Sequence, residues 1–387
     1  MLCGVVAGLC MHHQLGKLVK LKSYVLQASM LGVFAWLIYQ ISLNVHAHMQ
    51  MLNMHLGFDF LWQSSRFQIH GAWLAHDPTY SYWYVLVVGL CNTIIMGLLA
   101  IFYTTLLSLV FALIQQMGGT LASRLVNGYV GLLRNIPLVI QIMFIYTWLI
   151  KTLPPFRETL IWHGLVLNNR GIHLPWISIQ LHDTVALMML LCVAWLLFIL
   201  PKKNTTTLNY LKTGLKFGFV LLVGWLLMTI DLSWSIPQLV NRFSYGGGVT
   251  LYPEFLALLM GLVLYTSSYG IEIFRAGFLS IPKGQYEAAC ALGLTPLQRF
   301  RYVILPQSVR LIVPPMLNQY LNIIKDTSLG VTIGYPELMG LFAGTVLNQT
   351  GHGIEIILIT MGVYLAFNLL FSLLIQCYQR RSQKWSI

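Results

Sequence analysis

The sequence predicts an all-α integral membrane protein with about eight transmembrane helices. Composition, the length of the apolar runs and the distribution of basic residues predict it. Of 387 residues, 57% are hydrophobic and 9% are charged, whereas soluble domains carry about 25% charged residues. So few charges cannot make a water-soluble surface, so membrane lipid must cover most of the exterior. The net charge of +12 would suggest nucleic acid in a soluble protein. Here it fits the enrichment of basic residues in cytoplasmic loops, and no nucleic-acid partner is expected.

A spanning helix needs roughly 20 mostly apolar residues. Stretches 24–44, 84–114, 184–201, 255–276 and 353–377 qualify directly. Three more are short or interrupted: the run from Arg134 to Ile150, 217–230 up to Asp231, and 311–324 with Pro314 and Pro315. With a cytoplasmic N-terminus, only Arg66, Lys151, Arg157, Arg170, Arg242 and Lys325 of the 23 Lys and Arg lie outside. That is the positive-inside bias. It puts the C-terminus in the cytoplasm as well. Deleting the 217–230 span would turn the basic 275–310 segment outward, so eight spans are kept. The carboxylates sort the other way, except Glu272 near an inner span end and Glu287 in a basic loop.

Six scattered cysteines contain no CxxC pair and suggest neither disulfides nor zinc. The first 22 residues have their lysines after the apolar stretch, the reverse of a secretory signal.

The loop Ser280–Arg310 is too polar to span but carries helix punctuation. Pro282 suits a first helical turn, and Lys283 sits four residues before Glu287, a helical pairing distance. Gly293 is placed to end that helix in a left-handed conformation. Thr295-Pro296-Leu297-Gln298 has a capping-box pattern that starts a second short helix. Leu305-Pro306 is expected to stop it. Ala288 and Ala289 would let a partner surface approach the backbone, and Glu287 would meet a basic group there. A solvated interfacial helix with an incidental acid is the alternative on these residues alone.

Glu287-Ala288-Ala289, Gly293, Val303 and Leu305-Pro306, at their spacing, resemble the EAA signature of ABC importer permeases. The family more often has Ile where Val303 stands. Flanking stretches resemble the permeases of polar and general L-amino-acid importers: Glu272–Gly277, Ile281–Gln285, Lys325–Leu329, Leu133–Pro137 and Gly89–Thr93. The resemblance covers about Tyr82 to Tyr378, apart from roughly 184–230, with Gly270 where Ala is commoner. It implies a type I importer core of five helices plus three additional ones. The chain then divides into 1–81 (N-terminal cytoplasmic segment, first span and periplasmic loop), 82–183 (first part of the core), 184–230 (an inserted helix pair) and 231–387 (second part of the core, with coupling loop 280–310).

In that family the loop docks on an ATPase, which implies coupling roles for Lys283, Gln285, Glu287, Ala288, Ala289, Gly293, Leu305 and Pro306. ABC ATPase subunits, a second homologous permease, a periplasmic amino-acid-binding protein and an amino-acid substrate are the implied partners. The implied location is the bacterial inner membrane, multi-pass. No GxxxxGK[ST] loop occurs, so no cofactor is expected on this chain, and ATP and Mg belong to the partner ATPase. HExxH and GxSxG are also absent, so the chain is expected to be a non-catalytic subunit. The alternative is a secondary transporter, but no internal repeat is visible and the loop would be unexplained.

Polar residues in and near spans are pathway or gating candidates by default. They are Asn92 and Thr93; Arg134, Asn135, Pro137 and Gln141; Glu272 and Arg275; Asn318; and Lys325, Asp326, Thr327 and Ser328. Glu272 and Arg275, three apart, lie within helical pairing distance, as a structural ion pair, a snorkelling arginine or a gate. Lys325 and Asp326 suit the carboxylate and ammonium of a zwitterion, or each other. The outer segment with His46, His48, Met49, Met51, Met54 and His55 specifies no metal geometry. It is expected to be a loop.

Overall fold

The structure, a computed structural model, describes residues 26–44, 47, 57–178, 233–241 and 244–383. The expected spans at 184–201 and 217–230, and the outer His and Met residues between 46 and 55, lie outside the described residues. The chain divides into two compact units, 1–59 and 60–387. In the first, α1 (Leu26–Asn44) is long and apolar enough to cross a membrane.

In the second unit, α2 (Tyr82–Met117) runs 36 residues without a charge. At 1.5 Å per residue it is about 54 Å long, well beyond a hydrocarbon core of about 30 Å. α3 (Thr120–Asn135) and α4 (Leu138–Thr152) meet at a bend of 102°. Pro137 causes it, forcing Ile136 into an extended conformation (φ −101°, ψ 126°) that breaks the helix. The expected span from Arg134 therefore begins only at Leu138.

α5 (Pro253–Leu279) is the hub, packing against α2, α3, α4 and the later helix α8 (Leu305–Asp326). Met96, Leu138, Ile142, Leu258, Leu262 and Ile323 form the core between them. A second core joins Val85 and Leu86 on α2 to Leu338, Phe342 and Ile356, at the start of α9 (Gly353–Gln383).

Among the described residues, four helices are long and apolar enough to span, or five if the bent pair counts as one span. α8 is not one of the four, because Arg310 and the amides Gln307, Asn318, Gln319 and Asn322, with Pro314 and Pro315, lower its apolar character. Only 11% of the α9 span is buried within the chain. Such an apolar surface needs lipid or another membrane subunit against it.

The segments expected as outer loops contain short antiparallel strands. These are β1 (Leu160–Trp162), β2 (Leu165–Asn168), β3 (Gly171–Leu174), β4 (Trp176–Ser178), β5 (Ser233–Ser235), β6 (Gln238–Asn241), β7 (Ser244–Gly246) and β8 (Val249–Leu251). One sheet has the order β1-β2-β3-β8, while β4–β5 and β6–β7 pair separately. The β1–β2 hairpin turns on His163 (φ 47°) and Gly164 (φ 83°), the two positive angles that a tight two-residue hairpin requires.

On β3, burial holds the His173 imidazole below its ordinary pKa. Burial does the same to His76, while Thr79 hydrogen bonds hold the Asp77 carboxyl down. For all three, the folded value lies below the unfolded one. Their contribution is therefore complete above the unfolded pKa and is lost as pH falls through the folded pKa. The melting temperature of the solubilised protein is expected to drop as pH goes from 7 to 5. His173→Gln should flatten that slope in a thermal melt series.

Candidate functional site

Loop 280–310 is built by local hydrogen bonds. Pro282 caps α6 (Lys283–Ala291), one position before the first turn where it was expected. Gly293 (φ 72°) ends the helix: its N–H donates to Cys290 O at 2.9 Å, and Leu294 N–H to Ala289 O at 3.3 Å. These are the two bonds of a Schellman stop. Two residues later Thr295 caps α7 (Pro296–Arg299), exchanging bonds with Gln298 at 2.9 and 3.4 Å. Arg299 reaches back to Cys290 Sγ and lies 4.8 Å over the Tyr286 ring, tying the two short helices together.

Two expectations for this loop change. Leu305-Pro306 does not stop the chain. Pro306 has no N–H to donate, and the chain crosses that point by widening to a π turn over Phe300–Ile304, with Leu305 N–H donating to Phe300 O, before entering α8. Lys283 and Glu287 form no ion pair; both are exposed. Glu287 has no partner among the described residues. Ala288 is exposed while Ala289 is 3% exposed, so only one of the two small side chains is offered outward. Beside them Leu292 and Leu297 are 79% and 76% exposed.

Within the helices, Glu272 does not pair with Arg275. Its carboxylate meets the Arg134 guanidinium on α3 at 2.8 Å, and Arg275 is exposed. Arg134 also donates to Ser268 O at 2.9 Å and lies 4.4 Å over the Tyr269 ring. Tyr269 OH contacts Tyr265 OH at 3.1 Å, and Tyr265 lies within electrostatic reach of Asp326. Arg134, Tyr269 and Glu272 line a cavity of about 590 Å³ whose other wall includes Pro315 and Gln319 of α8. Asp326 has no hydrogen bond and no ion pair among the described residues, and Lys325 beside it is exposed. Thr327 and Ser328 use their hydroxyls locally, on Ile324 O and Lys325 O at 2.7 Å. Asn318 is exposed on α8.

The remaining candidates hold the fold. Gln141 donates to Leu133 O at 2.8 Å and Ile136 O at 2.9 Å, closing the bend at Pro137. Asn135 bonds back to Gly131 O at 2.8 Å. Asn92 accepts from Trp73 N–H and donates to Pro336 O, at 3.1 and 2.7 Å. Thr93 accepts from Leu338 N–H at 3.1 Å. Both are fully buried.

Sequence reasoning missed Glu337. It is fully buried and accepts from Met339 N–H at 2.7 Å, Gly340 N–H at 2.6 Å and Tyr364 OH at 3.2 Å. A Pro-Glu pair opening an apolar run was the available signal, since an acid there can cap a helix start.

Residues 215–384 match the family model described as binding-protein-dependent transport system inner membrane component. YhdX of Escherichia coli strain K12, whose name marks it as a candidate amino-acid ABC transporter permease, is 36% identical over 91% of each chain. The general L-amino acid transport system permease protein AapQ of Rhizobium johnstonii is 31% identical, over 94% of this chain and 92% of its own. The glutamate/glutamine/aspartate/asparagine transport system permease protein BztB of Rhodobacter capsulatus is 28% identical, over 87% and 88%.

Proposed function

This chain belongs to the binding-protein-dependent inner membrane transport components, and from that premise we propose that it forms the amino-acid pathway of an ABC importer and takes its drive from a separate ATPase through loop 280–310. One observation carries the coupling role. The α6–α7 tip is locked by a Schellman stop and a capping box, yet presents Glu287 with no partner among the described residues, a bare Ala288 and two exposed leucines. A rigid element with an unsatisfied surface transmits force only when something seats on it.

In this reading, a periplasmic binding protein delivers an amino acid to a pair of permeases, this chain and a homologous partner, with both termini of this chain in the cytoplasm. ATP-driven closure of two ATPase subunits pushes on Glu287 and its neighbours and moves α5 and α8, which flank the loop. The Arg134–Glu272 pair latches α3 to α5 beside the 590 Å³ cavity. Asp326, outside the lining of that cavity and with no hydrogen bond or ion pair among the described residues, offers an acid to the substrate ammonium. Gln141, Asn92 and Thr93 hold the helices that carry these groups. ATP and Mg act on the partner ATPase.

Purification of the tagged chain from its native membrane tests the assignment. An ABC ATPase and a second permease are expected to come with it. Recovery of the chain alone, transporting on an ion gradient, would replace this reading with a secondary transporter. Arg134→Ala leaves Glu272 half-buried without its cation, and such breaks cost about 3–5 kcal/mol where burial is complete. With the pair partly exposed, a smaller loss of stability, about 1–2 kcal/mol, is expected. Uptake should fall more than stability does, by roughly tenfold or more in vesicles, if the latch belongs to the pathway.

A further inference from the structure

Four large apolar side chains stand out from the outer strands: Trp162 at the end of β1, Trp176 on β4, Trp234 on β5 and Ile236 just after it. They are 71%, 53%, 71% and 53% exposed. The chain gathers them at one edge. A side-chain carbon on Gly164, in the β1–β2 turn, would lie 3.3 Å from Pro175 Cγ and 3.7 Å from Ile236 Cγ2. The turn beside Trp162 therefore packs against the residue before Trp176 and the residue two after Trp234. Trp176 pairs with Ser235 in the β4–β5 register, and Gly248 N–H donates to Ser235 Oγ at 2.9 Å, which fixes β5 to the lead into β8.

The surroundings of this edge lack charge. Stretches 159–169, 171–182 and 232–241 contain no Asp, Glu, Lys or Arg. Residues that face water in a soluble domain would include about one charge in four. An exposed apolar patch of this kind marks an interaction surface.

Reach decides what covers it. β4 leads into, and β5 leads out of, the apolar runs 184–201 and 217–230 that the sequence marks as spans. Three residues carry the chain from Ile230 to Ser233 at the start of β5. An extended chain covers at most about 3.6 Å per residue, so β5 starts within about 11 Å of the outer end of that span. The polar layer of a bilayer is about 5–8 Å deep on each side. Trp is the side chain that concentrates there, its ring body in the apolar boundary and its N–H among the headgroups.

We propose that Trp162, Trp176, Trp234 and Ile236 form a lipid-binding edge that rests in the outer headgroup layer and anchors the strands to the membrane surface. The edge depends on 217–230 being a span and is independent of the ATPase reading. It also bears on the core helices. β8 runs into α5 with only Tyr252 between them, so a lipid-held sheet sets the depth at which α5 enters the membrane.

The test uses the full chain in phosphatidylcholine nanodiscs, with acyl chains either plain or brominated close to the headgroup. Trp162→Phe, Trp176→Phe and Trp234→Phe each remove one of the 11 indoles, and the difference from the parent isolates its emission. Bromine is expected to quench each difference spectrum by about twofold or more, and acrylamide in the water to quench it less. Quenching by acrylamide alone would place the indoles in water. Quenching by neither would mean that residues 179–232 or another protein cover the edge. Either result overturns the proposal. A second measurement does not depend on the Phe variants: photoreactive benzoylphenylalanine installed in place of Trp234 is irradiated in the same nanodiscs. Adducts of lipid mass are expected, and adducts to protein alone would overturn the lipid assignment.

Discussion

Glu287→Lys is expected to abolish ATP-driven uptake, by about 100-fold or more, while the chain still folds and reaches the membrane. Folding should be spared because Glu287 is exposed and no group among the described residues bonds to it. Uptake should fail because its proposed partner is a basic group in a groove on the ATPase. Removing one member of a desolvated charged pair costs about 2–5 kcal/mol, and reversing its sign adds repulsion. A loss of about 2.7 kcal/mol is already 100-fold. Glu287→Gln, which keeps an acceptor but not the charge, should lie between. Uptake in vesicles and recovery of the ATPase with the tagged permease are the two readouts. Wild-type uptake by the lysine variant would refute the coupling role.

Glu337→Ala is expected to be the most destabilising single change outside the apolar cores, by about 3–5 kcal/mol. The carboxylate collects three donors in a fully buried place: two backbone N–H groups at the start of the π segment Met339–Val346, and the hydroxyl of Tyr364 on α9. Truncation leaves all three unpaired, at about 1–3 kcal/mol for each buried group. Glu337→Gln retains one acceptor oxygen but turns an N–H₂ toward donors, so it should recover only part of the loss. The midpoint of unfolding in mild detergent, followed by size-exclusion chromatography, reads the effect. A melting curve unchanged from the parent would mean that water or main-chain shifts satisfy these groups instead.

What could be read from the residue string follows the range of the interactions involved. Gly293 with its Schellman bonds, and Thr295 with Gln298, were legible because every partner lies within six positions. The spans at α1, α2, α5 and α9 were legible because lipid imposes length and apolarity on each helix separately. The partner of Glu272 was not legible because spacing along one helix offers Arg275, while α3, more than a hundred residues earlier, delivers Arg134. Pro306 was misread because a proline mid-chain can be absorbed by a π turn. The strands after α4 were missed for a different reason. They are three or four residues each, too short for a period to show, and β3 finds β8 across an insertion of more than seventy residues.

The sequence by itself therefore determined that this chain lives in a membrane, where most of its spans lie, and where the loop 280–310 turns between two short helices. Those properties come from solvent exposure and from hydrogen bonds closed within a few residues. Only the tertiary structure decided that Arg134 guards Glu272, that Asn92 and Thr93 bind the fold together, and that Glu337 anchors a turn. Each of those depends on side chains from distant segments meeting where water is excluded, and it is packing that selects such meetings.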